Sequence, residues 1–137
     1  MTKGTLMFAI AACAVSSSAH AANSDYFDLV CTGQQQVATG KPAIAWKERL
    51  RFDLVNKRWC RGACKVAGEI SQVTADEISI YDSRANSGGP ADVQLTLSRT
   101  QGTIREAVSS GWSGSSFGIA EGKCVREQFS GLPGQKF

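Results

Sequence analysis

Histidine is almost missing from this sequence, because His20 is the only one. It lies in an N-terminal segment that we expect to be removed, which leaves the mature chain without histidine. This absence excludes Ser-His-Asp and Cys-His catalysis and every histidine-based metal site. Hydrolases that use only carboxylates pass this test, but no pair of acidic residues stands out. We therefore expect no catalytic residues, no metal and no cofactor.

Long apolar runs are also missing. The longest uncharged apolar stretch, Leu6 to Val15, is too short to cross a bilayer, which needs about 20 residues. It follows Lys3 and leads to Ala19-His20-Ala21, which has the small-x-small form of a signal peptidase site. The sequence predicts a signal peptide over residues 1–21, a single domain over residues 22–137, and a periplasmic or secreted location.

A lipid anchor is the alternative for this N-terminal segment. Ile10-Ala11-Ala12-Cys13 resembles the lipobox of bacterial lipoproteins, in which the cysteine becomes the lipidated N-terminus. The short apolar stretch before Cys13 and the Ala-x-Ala site after it favour cleavage without lipid. We expect a membrane partner only if Cys13 is lipidated.

Neither sign of charge dominates the mature chain. Lys3 is one of 15 basic residues, so 14 remain against 12 acidic ones. A net charge of +2 is too small to indicate nucleic acid as a partner. Lys47, Arg49 and Arg51 share one face of a predicted strand, and Arg58, Arg61 and Lys65 follow it. These residues indicate either a basic patch for an anionic partner or, as we favour, a solvated outer face.

The cysteine count becomes even once Cys13 is removed. Cys31, Cys60, Cys64 and Cys124 remain, and in an oxidising compartment they predict two disulfides. Of the three connectivities, we favour Cys31–Cys124, tying the first strand to the last, and Cys60–Cys64, pinning a local turn. A zinc site of four thiolates is the alternative, which export disfavours.

Short runs of alternating apolar residues recur between turn residues. The clearest, residues 49–55, puts Leu50, Phe52 and Leu54 on one face. The other runs cover residues 26–31, 66–74, 77–82, 92–99, 104–109 and 123–129. Period-two alternation with regular turns predicts an all-β fold, a small antiparallel barrel or sandwich of six to eight strands stapled by disulfides.

Three local features qualify this prediction. A helix beginning at Pro42 is an alternative for the segment up to Leu54, but Phe52 fits the strand better. Glu48 falls on the apolar face, so either the strand begins after it or Glu48 pairs with a basic neighbour. The glycine-containing tail from Ser130 to Phe137 is predicted to end the fold loosely.

The candidate contact site is the serine- and glycine-rich segment Ser109 to Gly118. Small residues would let the rings of Trp112 and Phe117 present flat faces to a sugar or a protein partner, with Ser113 and Gly114 beside them. In the alternative interpretation, both rings fold back over the core.

Two resemblances add expectations. The sequences FDLVCTG at 27–33, RWCRGAC at 58–64, LTLSRTQG at 95–102 and GKCVREQF at 122–129 make the mature chain resemble small exported bacterial proteins of unassigned function. That likeness implies a disulfide-bonded β domain.

Locally, residues 113–117 resemble the Ser-Gly-x-x-Tyr loop of periplasmic inhibitors of c-type lysozyme. Members of that family are small disulfide-bonded barrels whose loop enters the lysozyme cleft. Phe117 replaces the tyrosine and lacks its hydroxyl.

The sequence therefore favours a non-enzymatic binding protein of the periplasm or cell envelope, with an envelope protein or a glycan as partner. A lysozyme-inhibitor-like protein and a structural envelope protein without a ligand site are the alternatives. A carboxylate-dependent hydrolase is the least favoured, and it requires two facing acids in a cleft.

Overall fold

The structure is a computed structural model that describes residues 25–86, 89–110 and 116–134. The predicted signal peptide, with Cys13, lies outside these residues. The described residues form nine strands and no helix. The strands are β1 (Tyr26–Gln36), β2 (Ile44–Asp53), β3 (Arg58–Arg61), β4 (Gly68–Glu69), β5 (Gln72–Val73), β6 (Glu77–Asn86), β7 (Gly89–Ser98), β8 (Thr103–Ser110) and β9 (Ser116–Glu127).

All nine strands belong to one antiparallel sheet, in the order β4-β3-β2-β1-β9-β8-β7-β6-β5. The first and last strands, β1 and β9, pair at its centre. The edge strands β4 and β5 are separated only by Ile70 and Ser71. The amide of Ile70 donates to Lys57 at 2.8 Å, and the amide of Ser71 donates to Ser79 at 3.0 Å. Because residues 70–71 join the two edges, the sheet curls into a half-barrel.

The all-β antiparallel fold is confirmed, whereas the predicted strand count is wrong and the predicted barrel or sandwich is matched only in part, by a half-barrel. The structure has nine strands rather than six to eight, and one curled sheet rather than a sandwich or a closed barrel. The run at 66–74 forms two short strands because the chain crosses there from one edge of the sheet to the other. The short strand β3 had no apolar alternation to reveal it. The segment after Pro42 is strand, as favoured.

The inner face of the curled sheet holds the core. Strand alternation places on this face every second residue of each long strand. Leu50, Phe52, Ile78 and Leu95 have no exposed surface, and burying each such side chain contributes about 1.5–3 kcal/mol. The core cluster consists of Phe27, Leu29, Cys31, Leu50, Phe52, Trp59, Ile70, Ile78, Ile80, Leu95, Leu97 and Ile104.

The central strands β1 and β9 lie unusually close together. Cys31 and Cys124 face each other in the register and form a disulfide across 93 residues of sequence. In the same register, Gly33 faces Gly122. A Cβ atom on either glycine would overlap the backbone of the opposite strand. Glycine is therefore required at both positions.

The C-terminal segment, residues 128–134, covers part of the outer face of the sheet. Leu132 is buried together with Cys60 and Cys64, which form the second disulfide, and Phe129 packs against them. Asp28 points to this outer side and has no exposed surface. The expectation of a loose tail is therefore wrong for residues 130–134, because Leu132 supplies an apolar anchor. Residues 135–137 lie outside the description.

Candidate functional site

An ion cluster lies on the inner face beyond the apolar core. Glu48 of β2, Arg61 of β3 and Glu106 of β8 occupy positions that continue the core-facing alternation. Arg61 Nη2 lies 2.6 Å from Glu106 Oε2, and Arg61 Nη1 lies 3.5 Å from Glu48 Oε1. The guanidinium carbon of Arg61 is also 5.3 Å from the ring centroid of Trp59. One arginine thus binds two acids contributed by strands that are distant in sequence.

The electrostatics of this cluster hold Arg61 in its charged form. Burial raises the pKa of Glu48; the charge of Arg61 opposes this rise and that of Glu106 adds to it. Burial by itself would lower the pKa of Arg61, but its hydrogen bond to Glu106 and the charges of Glu106, Glu48 and Asp82 raise it overall. The guanidinium consequently remains the fixed positive centre of the cluster.

The cluster resolves one question about Glu48. It adds Glu106, which the sequence analysis missed, and it gives Arg61, expected only as part of a basic run, a partner on the inner face. The strand includes Glu48, and Glu48 pairs with a basic neighbour, Arg61. Arg61 and Glu106 gave little signal in the sequence, because they are 45 residues apart. A glycosidase pair needs one carboxyl group that releases a proton and one that is available to the substrate or to water. Here Arg61 contacts both carboxylates.

An exposed aromatic surface lies on the outer face of β6, β7 and β8. Tyr81, Gln94 and Ala107 face one another across these strands, and Asp92 faces Ser109. These five residues, which we call the Tyr81 surface, line a shallow depression of about 190 Å³. Tyr81 is 61% exposed. The depression therefore combines a flat ring, a carboxylate, an amide and a hydroxyl.

The Tyr81 surface adjoins the contact segment proposed from the sequence. Trp112, Ser113 and Gly114 lie outside the described residues, and of Phe117 only the backbone is described. Phe117 pairs with Ser109, a member of the Tyr81 surface. The connection that carries Trp112 therefore begins and ends beside this surface. The lysozyme-inhibitor resemblance depends on the same connection and stays a prediction.

A larger cavity lies at the end of the half-barrel opposite the ion cluster. We call it the end cavity; it has a volume of about 310 Å³. Two arginines, Arg99 and Arg126, line it together with apolar and small residues. Its lining consists of Phe27, Leu29, Ala75, Leu97, Ser98, Arg99, Gly102, Cys124 and Arg126.

The basic strip on β2 is engaged in contacts within the protein. Arg49 Nη1 lies 3.0 Å from Asp28 Oδ2, and Arg49 Nη2 lies 2.5 Å from Glu127 Oε2. Arg51 Nε lies 3.9 Å from the same oxygen of Asp28. Arg49 and Arg51 are therefore paired within the protein, and Lys47 is exposed beside them.

Neither a metal-binding group nor a membrane-spanning helix is found among the described residues. Among residues 25–86, 89–110 and 116–134, no three histidine, cysteine or acidic side chains come together as a metal-binding group. Within the same ranges, no helix has the length and apolar character needed to span a bilayer.

Comparison with known proteins gives no relative from which a function could be carried over. No protein-family model matches the chain, and no curated protein or solved structure matches it.

Proposed function

We propose that this protein is an exported, non-enzymatic binding protein of the periplasm or cell envelope. Two disulfides in a small all-β domain are compatible with an oxidising compartment, where such bonds persist. The signal peptide predicted from residues 1–21 supports the same location.

The proposal that this protein binds a partner rests on the exposure of Tyr81. An aromatic side chain that is 61% exposed, set in a depression with Asp92, Gln94 and Ser109, offers both a flat apolar face and hydrogen-bonding groups. Tyrosine and tryptophan in such settings are frequent anchors of binding surfaces. Trp112, in the adjoining connection, would extend the surface. A glycan or a protein of the envelope fits this combination.

The inner-face chemistry supports a non-enzymatic role. The mature chain contains no histidine, and the two acids that meet on the inner face, Glu48 and Glu106, are both bound by Arg61. Such an arrangement is typical of an ion cluster that neutralises partly buried charge. The concave end cavity and the Tyr81 surface favour a binding protein over a purely structural one.

Cross-linking in intact cells tests the binding surface. We expect Tyr81→Ala and Trp112→Ala each to reduce recovery of the cross-linked partner at least fivefold. Val125→Ala is the matched control, because Val125 is 69% exposed on β9 and lies outside the Tyr81 surface. The binding surface is refuted if all three variants recover the same partners as the wild type.

The mass of the purified cellular protein tests export. We expect a soluble species that begins at Ala22 and whose four cysteines react with an alkylating reagent only after reduction. A species that begins at a lipid-modified Cys13 would move the protein to a membrane tether. Free thiols in a chain that retains its signal peptide would contradict export.

A further inference from the structure

A second depression adjoins the Tyr81 surface on the outer face of the sheet. Its volume is about 320 Å³, and its lining includes Thr96, Ser98, Thr103, Arg105 and Glu121. On β7, Thr96 of this depression is the next outward-facing residue after Gln94 of the Tyr81 surface. The two depressions together form a groove along β7 and β8, which we call the β7–β8 groove.

The β7–β8 groove is long enough for a chain molecule. It follows the outward-facing residues from Asp92 to Ser98 on β7 and from Thr103 to Ser109 on β8. At a rise of about 3.4 Å per residue, this stretch of β7 is about 20 Å long. Several linked sugar units extend over such a length, so the groove has room for more than one ring beside Tyr81.

Hydroxyl groups dominate the surface of the groove. Of the outward-facing residues in these two described stretches, only Ala107 is apolar. The others are Asp92, Gln94, Thr96, Ser98, Thr103, Arg105 and Ser109. Such side chains form hydrogen bonds with ligand hydroxyl groups as donors or acceptors. Tyr81, 61% exposed at one end, adds a flat apolar face on which the C–H side of a sugar ring can pack.

The position of the groove within the sheet disfavours a peptide as its ligand. β7 is paired with β6 and β8, and β8 is paired with β7 and β9. A peptide that binds a sheet commonly adds to a free strand edge through its main chain and places alternate side chains in pockets. The groove offers no free edge and little apolar surface, whereas a sugar chain is bound by side chains alone.

The charge of the groove favours an uncharged ligand. The charged residues in the lining of the two depressions are Asp92, Glu121 and Arg105. Arg105 Nε lies 3.0 Å from Glu121 Oε1, and the hydroxyl of Ser83 donates to Asp92 at 2.7 Å. With two acids and one arginine, the groove has no excess of positive charge that would attract a nucleic acid or an acidic sugar chain.

We propose that the β7–β8 groove binds an uncharged oligosaccharide of several sugar units, extended along the strands. One ring packs on Tyr81, and the hydroxyl groups of the following units form hydrogen bonds with Gln94, Thr96 and Thr103. This inference rests on the proposed function, because it gives the Tyr81 surface its class of ligand and extends the site along β7 and β8.

Calorimetric titration of the disulfide-bonded mature protein with uncharged tetrasaccharides of glucose, mannose, galactose and N-acetylglucosamine tests this assignment. We expect saturable binding of at least one of them, at least tenfold tighter than that of its own monosaccharide. Tetragalacturonate, which has the same length and a carboxylate on every unit, should also bind at least tenfold more weakly. The proposal is overturned if no uncharged tetrasaccharide binds, if the monosaccharide binds equally well, or if tetragalacturonate binds as tightly.

Matched valine variants locate the ligand. Thr96→Val removes a hydroxyl group from the groove but keeps a β-branched side chain, and it should weaken tetrasaccharide binding at least threefold. Thr32→Val is the control, because Thr32 is exposed on β1, outside the groove, and it should leave the affinity unchanged. Equal affinities of the two variants contradict the proposal.

NMR of the wild-type protein gives a second measurement that does not depend on how a variant folds. The tetrasaccharide should shift the backbone amide signals of Thr96 and Thr103 as well as that of Tyr81. Shifts confined to the Tyr81 surface, or to residues outside the groove, overturn the extended site.

The outcome is separable from that of the cross-linking experiment. If no tetrasaccharide binds but Tyr81→Ala loses a cross-linked protein, the surface binds a protein partner and only the oligosaccharide assignment fails. If no tetrasaccharide binds and every variant recovers the wild-type partners, the binding surface and the oligosaccharide assignment both fail.

Discussion

Ser130 contacts both carboxylate oxygens of Asp28, from a position 102 residues later in the chain. Its hydroxyl oxygen lies 2.5 Å from Oδ2, and its amide nitrogen lies 3.2 Å from Oδ1. Arg49 contacts Oδ2 from the sheet side at 3.0 Å. The C-terminal segment is thus attached to the sheet by hydrogen bonds to a charged group, which are stronger than neutral ones, as well as by burial of Leu132.

Replacing Asp28 by asparagine should destabilise the protein markedly. The variant removes the negative charge that Arg49 and Ser130 share, at a site with no exposed surface. We expect a loss of about 3 kcal/mol in the free energy of unfolding, measured by urea denaturation. Asp76→Asn, in an exposed turn, is the control and should change this free energy by less than about 0.5 kcal/mol. A loss of the same size in both variants would contradict the central role of Asp28.

Replacing Glu48 by glutamine should increasingly stabilise the folded protein, relative to the wild type, as pH rises. The pKa of Glu48 in the folded protein is raised above the ordinary value of 4.5, so the folded state binds this proton more tightly than the unfolded state does. The stability that the protonated carboxyl group gives the folded state is present below pH 4.5. It is lost as pH rises through the raised pKa. We therefore expect Glu48→Gln to gain stability relative to the wild type as pH rises from 4.5 through the raised pKa.

Glu106→Gln is the informative comparison in the same ion cluster. It removes the closer partner of Arg61, at 2.6 Å, from a residue that is 7% exposed. We expect the free energy of unfolding at neutral pH to fall by about 2 kcal/mol, because Arg61 is partly exposed and water screens part of the pair. Urea titrations of both variants across the pH range measure this. If Glu48→Gln steadily lost stability relative to the wild type as pH rises, the assigned pKa direction would be wrong.

Alanine at Gly122 should disrupt the centre of the sheet. Its Cβ would overlap the carbonyl group of Thr32 on β1, and the paired strands cannot separate while the neighbouring disulfide holds them. We expect a loss of about 3 kcal/mol or more. Gly118→Ala is the matched control on the same strand, because its Cβ would meet the nearest atom at 3.5 Å, an ordinary contact. Thermal unfolding of the two variants should separate them clearly, and equal melting temperatures would refute the steric argument.

The two disulfides should contribute unequally. Cys31–Cys124 closes a loop with a sequence separation of 93 residues, and Cys60–Cys64 one of 4. In the chain-entropy model, these loops correspond to about 4.5 and about 2 kcal/mol. Replacing each pair by alanines and measuring urea unfolding tests the order. A larger loss from the Cys60–Cys64 pair would mean that packing against Leu132 outweighs loop closure.

The alternation of apolar residues predicted the parts of strands that lie over the core. Leu50, Phe52 and Ile78 mark β2 and β6 because one face of each strand is buried there. The same strands continue into hairpins whose residues, such as Gln34 and Ser83, are polar and exposed. No apolar periodicity marks these extensions. The strands predicted from the sequence are therefore shorter than β1, β2 and β6 and cover only the parts that lie over the core.

The sites were less predictable than the strands. Glu48 drew attention because a charge on an apolar face needs a partner, but the sequence could not say that Arg61 would supply it. Arg126 becomes part of a cavity only because β9 pairs with β1 and brings it over Phe27. Contacts of this kind depend on long-range pairing, which local patterns do not encode.

The position of β9 between β1 and β8 has a consequence for the order of events in folding. Without β9 the chain has no central pairing, and its two halves, the four-stranded sheets β1 to β4 and β5 to β8, are joined only through residues 70–71. Pairing β9 with β1 brings together residues as far apart in the chain as Asp28 and Glu127. Because contacts so distant in sequence are slow to close, we expect this pairing to be the slow step of folding.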